Sequence, residues 1–481
     1  MSSVKRSFVS GFLWSLLGQG GYLSINLLTS IALARLLTPY EFGQVGIVMF
    51  FITISKVLTE SGLSGALIRK KDANEDDFST VFVFNLLVSV VLMLTLIMSS
   101  GFIASFYDDI ALQNILIALS FVLVINAFQF TQNAKIVKAL KFKKQALYTF
   151  CSVCFGSLLG VSLAYWGLGV WSLIIMQLTN AFVLTIIYRI FEGSAGKFVF
   201  KIDSFKTVYK FGLNTTIASI INTAFDNIYS LILGKYFAIQ QTGLYYQAKK
   251  LQEIPVGVIK SSTLGVVFST LSGLQDDKKK FDGLYSNIVT SFTVLVGFIC
   301  LIIFLYAEQV VLILYGEKWL GAVFYMKVLV IASYFYMQEM FNRVLFKIFD
   351  RTDKILLLEI IKVLIMAVSI LVGIREKDIE LLLYGFLATS VLSYFINYYH
   401  SRTVYNGFSW MEVFLTLKVI CIGTAITLII ESIKNFFSLD VYAMLLLFPL
   451  VTLLYIIFLR MFKVTNVVKD TKILLTMLKR G

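Results

Sequence analysis

The chain has 481 residues, 58% of them hydrophobic, and a mean hydropathy of +0.84. A soluble globular protein of this length does not carry so apolar a composition, so most of the chain is expected to lie in lipid. The net charge is +14, with a single histidine (His400) and four cysteines, all in apolar segments. This inventory gives almost no support to a hydrolase or a metalloenzyme.

Apolar runs recur along the whole sequence, and runs of roughly 18 residues or more are long enough to cross a bilayer as helices. They predict an all-α integral membrane protein with fourteen transmembrane helices. The first run continues without an A-x-A-like site into a full span, so no cleavable signal is expected. The predicted spans are 8–33, 42–65, 79–106, 111–134, 145–166, 168–190, 205–233, 243–271, 282–306, 321–345, 355–374, 380–401, 412–432 and 440–460.

Basic residues are concentrated in every second loop between these spans. The other loops hold only Arg35, Lys235, Lys318, Arg375, Lys377 and Lys434. Because cytoplasmic loops carry the excess of lysine and arginine, both termini are predicted to be cytoplasmic. The positive charge then reflects orientation and attraction to anionic lipid, and no nucleic acid partner is expected.

An internal repeat relates the two halves of the chain. "ARLLTPYEFG" (34–43) is followed 200 residues later by "GKYFAIQQTG" (234–243), which pairs Gly43 with Gly243. Six spans separate the copies, so both have the same orientation. This pattern predicts a parallel repeat of two six-helix lobes around a central cavity. The predicted divisions are 1–195 (spans 1–6), 196–405 (spans 7–12), 406–462 (spans 13 and 14) and an amphipathic cytoplasmic tail, 463–481.

The two repeated stretches, 34–43 and 234–243, are called hinges here because each joins the first two helices of its half. Ionisable side chains cluster in the spans near each hinge. Such groups cost about 2.5 to 3.5 kcal/mol each at a helix centre, so they are expected to face a cavity or a partner. The basic members of these clusters are Lys56, Lys249, Lys250 and Lys260, and the carboxylates are Glu60, Asp226 and Glu253. An alternative is that Lys249 and Lys250 extend to the headgroups and pair locally with Glu253.

Two further sets of polar residues have open roles. Arg35 and Lys235 occupy matching positions in the two hinges, where they either form an outer gate or compensate the charge of helix C-termini. Asn126, Gln129 and Asn133 follow one helix face. They either contact substrate or form hydrogen bonds between helices.

Three stretches together resemble one family of exporters. "ARLLTPYEFG", "QNAKIVKALKFKK" (132–144) and "GLYYQAKKLQEIPVG" (243–257) resemble Wzx-type polysaccharide flippases of the MOP exporter superfamily, in the branch of the colanic-acid and teichuronic-acid exporters. The resemblance implies a bacterial inner-membrane protein that moves undecaprenyl-diphosphate-linked oligosaccharide outward by alternating access. It implies a cationic cavity in which Lys56, Lys249, Lys250 and Lys260 are the candidates for binding the diphosphate headgroup, and Glu60, Asp226 and Glu253 are the candidate cavity or coupling carboxylates. It also implies no cofactor, and polymerase and co-polymerase proteins as partners. Coupling to protons or sodium ions is left open.

Two other functions compete with this one. A cation-coupled multidrug or small-molecule antiporter of the same superfamily would share the fold and the duplication. The candidate cavity holds as many lysines as carboxylates, which favours an anionic headgroup. A membrane glycan polymerase or ligase would need a larger outer loop than any present here, so an enzyme is not expected. The resemblance implies an arginine-rich cavity for the lipid II flippase relatives. Spans 1, 2, 7 and 8 of this chain contain no arginine apart from the terminal Arg35, which makes a peptidoglycan precursor a weaker candidate substrate.

Overall fold

The computed structural model describes the backbone of residues 2–60, 63–70, 72–405 and 410–464. Side chains are described over the same ranges except at 2–17, 207–208, 210–215, 217–218, 258–266 and 269. Every regular element in these ranges is helical. The α-helices are α1 (Ser2–Leu36), α2 (Pro39–Glu60), α3 (Leu63–Arg69), α4 (Glu75–Phe106), α5 (Ala111–Lys138), α6 (Phe142–Tyr165), α7 (Val170–Glu192), α8 (Ile202–Tyr236), α9 (Ile239–Ser272), α10 (Lys278–Leu305), α11 (Ala307–Leu314), α12 (Ala322–Ile348), α13 (Thr352–Glu376), α14 (Ile379–Tyr405), α15 (Met411–Phe436) and α16 (Phe448–Met461).

Each of the predicted spans overlaps at least one of these helices. The span at 42–65 is divided between α2 and α3, and the short helix α11 has no counterpart in the sequence analysis. Within the described residues, ten helical segments are long and apolar enough to cross a membrane. The chain is therefore an all-helical, multi-pass membrane protein. The exact number of spans stays a prediction, and the tail at 465–481 lies outside the described residues.

The chain separates into two compact units, residues 1–246 and 247–481. In the first unit, α4 packs against α5, and α6 packs against both α1 and α7. Helix α8 packs against α2, α3 and α4. A buried apolar cluster that includes Ile47, Leu116 and Ile174 fills the space between these helices, which is the arrangement expected when apolar side chains from several helices interlock.

The second unit is built around α12, which packs against α10, α13 and α14. Phe292 of α10 and Phe341 of α12 lie with their ring centroids 4.2 Å apart in its core. Arg402 is 4% exposed and pairs with Glu412, which connects α14 to α15. The predicted division at residues 195/196 rests on the sequence repeat and stays a prediction.

The two hinges have the same helix boundaries in each repeat. Helices α1 and α8 end at Leu36 and Tyr236, while α2 and α9 begin at Pro39 and Ile239, so both boundaries recur after 200 residues. At the first hinge the backbone N–H of Thr38 donates to Glu41 Oε2 at 2.7 Å, and the N–H of Glu41 reaches Thr38 Oγ1 at 3.4 Å. This reciprocal pair is a capping box, and Pro39, between its two residues, occupies the first helical position. The polar residues of this hinge therefore start a helix.

The glycines of the two hinges lie in direct backbone contact. A Cβ atom on Gly43 would lie 1.9 Å from the carbonyl oxygen of Ile239, and one on Gly243 would lie 1.8 Å from that of Pro39. Real Cβ atoms do not approach backbone atoms so closely. Only glycine at both positions allows the start of α2 to meet the start of α9 in this way.

A segment between α7 and α8, residues 193–201, is bound along the first unit and is called the linker strap here. Thr131 and Gln132 of α5 donate to the carbonyls of Ala195 and Gly193. The backbone N–H groups of Lys197 and Lys201 donate to the hydroxyls of Ser79 and Thr80 on α4, both at 3.1 Å. These bonds fix the chain where it enters α8.

We predict that Gly43→Ala separates the two hinges. The added methyl group collides with the Ile239 carbonyl, and relieving such overpacking costs about 1–3 kcal/mol. Spin labels at the exposed positions Leu36 and Tyr236 should report a longer distance in this variant by pulsed electron paramagnetic resonance. Gly101→Ala is the control, since its Cβ would meet only Gln113 Nε2, at 3.8 Å. An unchanged distance in Gly43→Ala would contradict the close contact.

Candidate functional site

A cavity of about 200 Å³ opens within the first unit between α2, α5, α6 and α7. Its polar lining includes the predicted pair Lys56 and Glu60 of α2. Amide side chains of α5 lie beside them. The cavity therefore combines two charged groups with several neutral hydrogen-bonding groups inside a bundle of membrane-spanning helices.

The amide groups in this cavity are held by hydrogen bonds across three helices. The Oδ1 atom of Asn133 on α5 accepts from Gln145 Nε2 of α6 at 2.8 Å and from the Tyr188 hydroxyl of α7 at 3.1 Å. Gln129 Nε2 donates to Asn126 Oδ1 one turn away. Asn126, Gln129 and Asn133 are called the amide ladder here. Its predicted role in hydrogen bonds between helices is observed for Asn133. All three amides also line the cavity, and their contact with a substrate stays a prediction.

One polar atom of the cavity wall stands out. The Oε1 atom of Gln129 is buried and has no hydrogen-bond partner among the residues that the structure describes. Leaving a buried acceptor unsatisfied costs about 1–3 kcal/mol, so a water molecule or another ligand in the cavity is expected to donate to this atom.

Lys56 and Glu60 form a weak ion pair along α2. Their charged atoms lie 3.9 Å apart, and the side chains are 52% and 51% exposed. Exposed pairs of this kind contribute less than about 1 kcal/mol. The carboxylate therefore leaves the ammonium group available to another anion.

The other predicted headgroup ligands lie on α9. Lys249 pairs with Glu253 at 3.6 Å, as the alternative of local pairing predicts, and Lys250 is partly buried beside them. Pro255 lies inside this helix. The side chain of Lys260 lies outside the described residues. This part of α9 belongs to the second unit, whereas the cavity around Lys56 belongs to the first.

The predicted gate residues both lie at the hinge end of the first unit. Lys235 pairs with Asp108 at 3.3 Å and lies over the Phe106 ring. The neighbouring Asp109 is buried and accepts from Tyr40 and Gln44 of α2 at 2.9 and 2.6 Å. Adjacent aspartates of the turn between α4 and α5 therefore hold α2 and α8. The second predicted gate residue, Arg35, is exposed at the end of α1. The predicted carboxylate Asp226 is exposed on α8.

An ionic cluster in the second unit was not predicted from the sequence. Glu339 of α12 is fully buried and is bound by three side chains from α12, α13 and α14. It pairs with Arg343, with Lys362 at 3.3 Å, and accepts from the Ser393 hydroxyl at 3.0 Å. Glu359 also pairs with Arg343. The spacing of Glu339 and Arg343 at i, i+4, inside the predicted span 321–345, was the sequence signal for this pair.

The sequence comparisons assign the chain to a family. Residues 32–324 match the family described as "Polysaccharide biosynthesis protein". The chain belongs to this family. The predicted resemblance to Wzx-type flippases of the MOP superfamily is confirmed by this match and by the relatives that follow.

Several curated proteins of the polysaccharide biosynthesis family are similar to the chain. The succinoglycan biosynthesis transport protein ExoT of Rhizobium meliloti is 24% identical over 64% of this chain, and the match spans 62% of that relative. The lipopolysaccharide biosynthesis protein WzxC of Escherichia coli is 21% identical over 89% of each chain. The teichuronic acid biosynthesis protein TuaB of Bacillus subtilis is 24% identical over 69% of each.

Solved structures show which fold this family member has. The lipid II flippase MurJ in an inward closed conformation matches with a TM-score of 0.74 at 15% identity, covering 94% of this chain and 98% of that one. An inward-facing multidrug resistance MATE transporter of the MOP superfamily matches with a TM-score of 0.61 at 15% identity, over 80% and 94%. The chain therefore has the MOP-type transporter fold.

We predict that Glu339→Gln destabilises the protein strongly. Removing the central charge leaves Lys362 and Arg343 without a shared partner, and breaking a buried ion pair on one side costs roughly 3–5 kcal/mol. The midpoint of thermal unfolding in detergent should fall by several degrees. Glu376→Gln is the control, because the Glu376 side chain is 59% exposed and its ion pair with Arg375 is long, at 3.9 Å. Equal midpoints for the two variants would exclude a structural role for the cluster.

Proposed function

We propose that the chain is a flippase that moves undecaprenyl-diphosphate-linked oligosaccharide units across the bacterial cytoplasmic membrane for export of a surface polysaccharide. The observation that carries the proposal is the cavity of the first unit, which offers an ammonium group beside sugar-compatible amides inside a membrane-spanning bundle. Membership of the polysaccharide biosynthesis family and similarity to a succinoglycan transport protein support it. In this proposal the protein is a transporter and catalyses no covalent reaction.

The proposed topology has fourteen spans with both termini in the cytoplasm. Residues 1–195 and 196–405 form the two lobes, 406–462 add spans 13 and 14, and 463–481 lie as an amphipathic helix on the inner leaflet. The distribution of lysine and arginine supports this orientation. The identical helix boundaries at the two hinges support the duplication.

Transport proceeds by alternating access in this proposal, with the hinges as the outer closure. The contact of Gly43 with the start of α9 keeps the two hinges together. The ion pair of Lys235 with Asp108 lies at the same end. Opening toward the outside separates these contacts, and Arg35 and Lys235 then face the emerging anion.

The diphosphate is bound by lysines in this mechanism. A phosphate oxygen replaces the Glu60 carboxylate beside Lys56, because an ion pair of 3.9 Å is longer than a good charge-assisted hydrogen bond. Lys249, Lys250 and Lys260 provide further positive charge on α9. The polyprenyl chain stays in lipid throughout.

Two sources of driving force are compatible with this mechanism, the membrane potential and coupling to protons or sodium ions. An inside-negative potential favours outward movement of an anion by about 2.3 kcal/mol per charge per 100 mV. Glu60, Asp226 and Glu253 are the carboxylates through which proton or sodium coupling would act. Polymerase and co-polymerase proteins are the proposed partners that receive the delivered units.

The proposal is tested by the sidedness of lipid-linked oligosaccharide in cells that lack the protein. Deletion should cause undecaprenyl-diphosphate-linked oligosaccharide to accumulate on the cytoplasmic face and should abolish the surface polysaccharide. Re-expression of the wild type should restore both. If deletion leaves lipid-linked oligosaccharide unchanged and instead raises sensitivity to cationic drugs, the antiporter function replaces the proposed one.

We predict opposite effects for the two members of the α2 pair. Lys56→Ala should weaken binding of undecaprenyl diphosphate by roughly ten- to a hundredfold, since a charge-assisted hydrogen bond contributes about 1.5–3 kcal/mol. Glu60→Gln should tighten binding a few-fold because it removes the competing carboxylate. Titration of the purified protein in lipid nanodiscs measures both. Lys377→Ala, a change at the exposed end of α13, is the control. Weaker binding in Glu60→Gln would contradict the competition.

A further inference from the structure

The cavity between α2, α5, α6 and α7 has room for more than a phosphate oxygen. Its volume is about 200 Å³, whereas one water molecule occupies about 30 Å³ of liquid. The space therefore suits a group of roughly the size of one sugar ring. The rings of Phe130 and Tyr188 form part of its wall and offer apolar surface to the C–H groups of such a ring.

The charge of the cavity is balanced. Lys56 and Glu60 are the only charged residues in its described lining, and they pair with each other at one side. The remaining polar lining is neutral, with one hydroxyl of α2, three amides of α5, one amide and one hydroxyl of α6, and the Tyr188 hydroxyl. A neutral polyhydroxylated group therefore fits this part of the lining better than an anionic group does.

The hydrogen-bonding groups of the wall have fixed directions. The carbonyl oxygen of Asn133 already accepts from Gln145 and Tyr188, so this side chain has only its amide hydrogens to offer a ligand. The carbonyl oxygen of Gln129 is a buried acceptor without a partner in the described part of the chain. Together they provide one donor and one acceptor, four residues apart on the same face of α5. Adjacent hydroxyls of a pyranose offer the complementary pair.

We propose that this cavity is a sugar subsite, which holds one neutral hexose of the lipid-linked glycan. Gln129 accepts from one hydroxyl of the hexose, and Asn133 donates to a neighbouring one. Lys56, at the same cavity, is then close to the diphosphate that carries the sugar. This inference rests on the proposed flippase function and adds to it the part of the chain that recognises the glycan.

The test compares two classes of ligand for the full-length protein in lipid nanodiscs. The probes are undecaprenyl diphosphate and undecaprenyl diphosphate bearing a single glucose, galactose or N-acetylglucosamine. Wild type should bind at least one sugar-bearing lipid roughly tenfold more tightly than the bare lipid, which is the effect of satisfying a buried acceptor. Gln129→Leu should lose this preference and keep its affinity for the bare lipid.

The retained affinity for the bare lipid shows that the variant is folded, and a second variant controls for changes on the same helix. Asn114→Leu replaces an exposed amide of α5 away from the cavity and should keep the sugar preference. A wild type without sugar preference, or a Gln129→Leu variant that retains it, would overturn the sugar subsite and leave the flippase function standing. If wild type binds neither class of lipid, the proposed function fails, and the subsite fails with it.

Discussion

The contact between Gly43 and Gly243 is the constraint on which the first unit depends. Each glycine meets the backbone of the opposite hinge at a distance that no side chain tolerates. The approach brings α8 and the start of α9 onto α2. The two glycines occupy the same position in each repeat. The same residue type therefore avoids a collision on both sides of the contact. A contact made of backbone needs no long side chains to reorder, so it is compact and geometrically strict.

Away from the hinges, two charged groups of the bundle are balanced by nearby partners. Glu339 is balanced by two cations and a hydroxyl, and Lys56 by a carboxylate on its own helix. This neutrality follows from the cost of an isolated charge in a low-dielectric medium. The two arrangements differ in accessibility. The Glu339 cluster is closed and stabilises packing, whereas the Lys56 pair is half exposed and can exchange its partner.

The sequence predicted the helices well because membrane thickness determines how long an apolar run must be. The hinge was also predicted from the sequence, because polar residues and a proline interrupt two apolar runs, whereas its capping hydrogen bonds were found only in the structure. Contacts that join distant segments were not readable. The i+200 offset paired Gly43 with Gly243 but gave no reason to expect that they touch. Likewise the ladder on α5 was visible from its spacing, while its partners Gln145 and Tyr188 lie on other helices. The pair of Lys249 and Glu253 was foreseen because both lie on one helix, one turn apart.

The linker strap has a consequence for how the protein is made. Its partners on α4 and α5 are synthesised before the strap itself, and membrane domains form progressively as the chain emerges. The strap therefore docks onto helices that are already present when α8 begins to insert. The first helix of the second repeat, α8, is then synthesised from a segment that is already fixed. It therefore inserts into the bilayer next to the helices against which it packs.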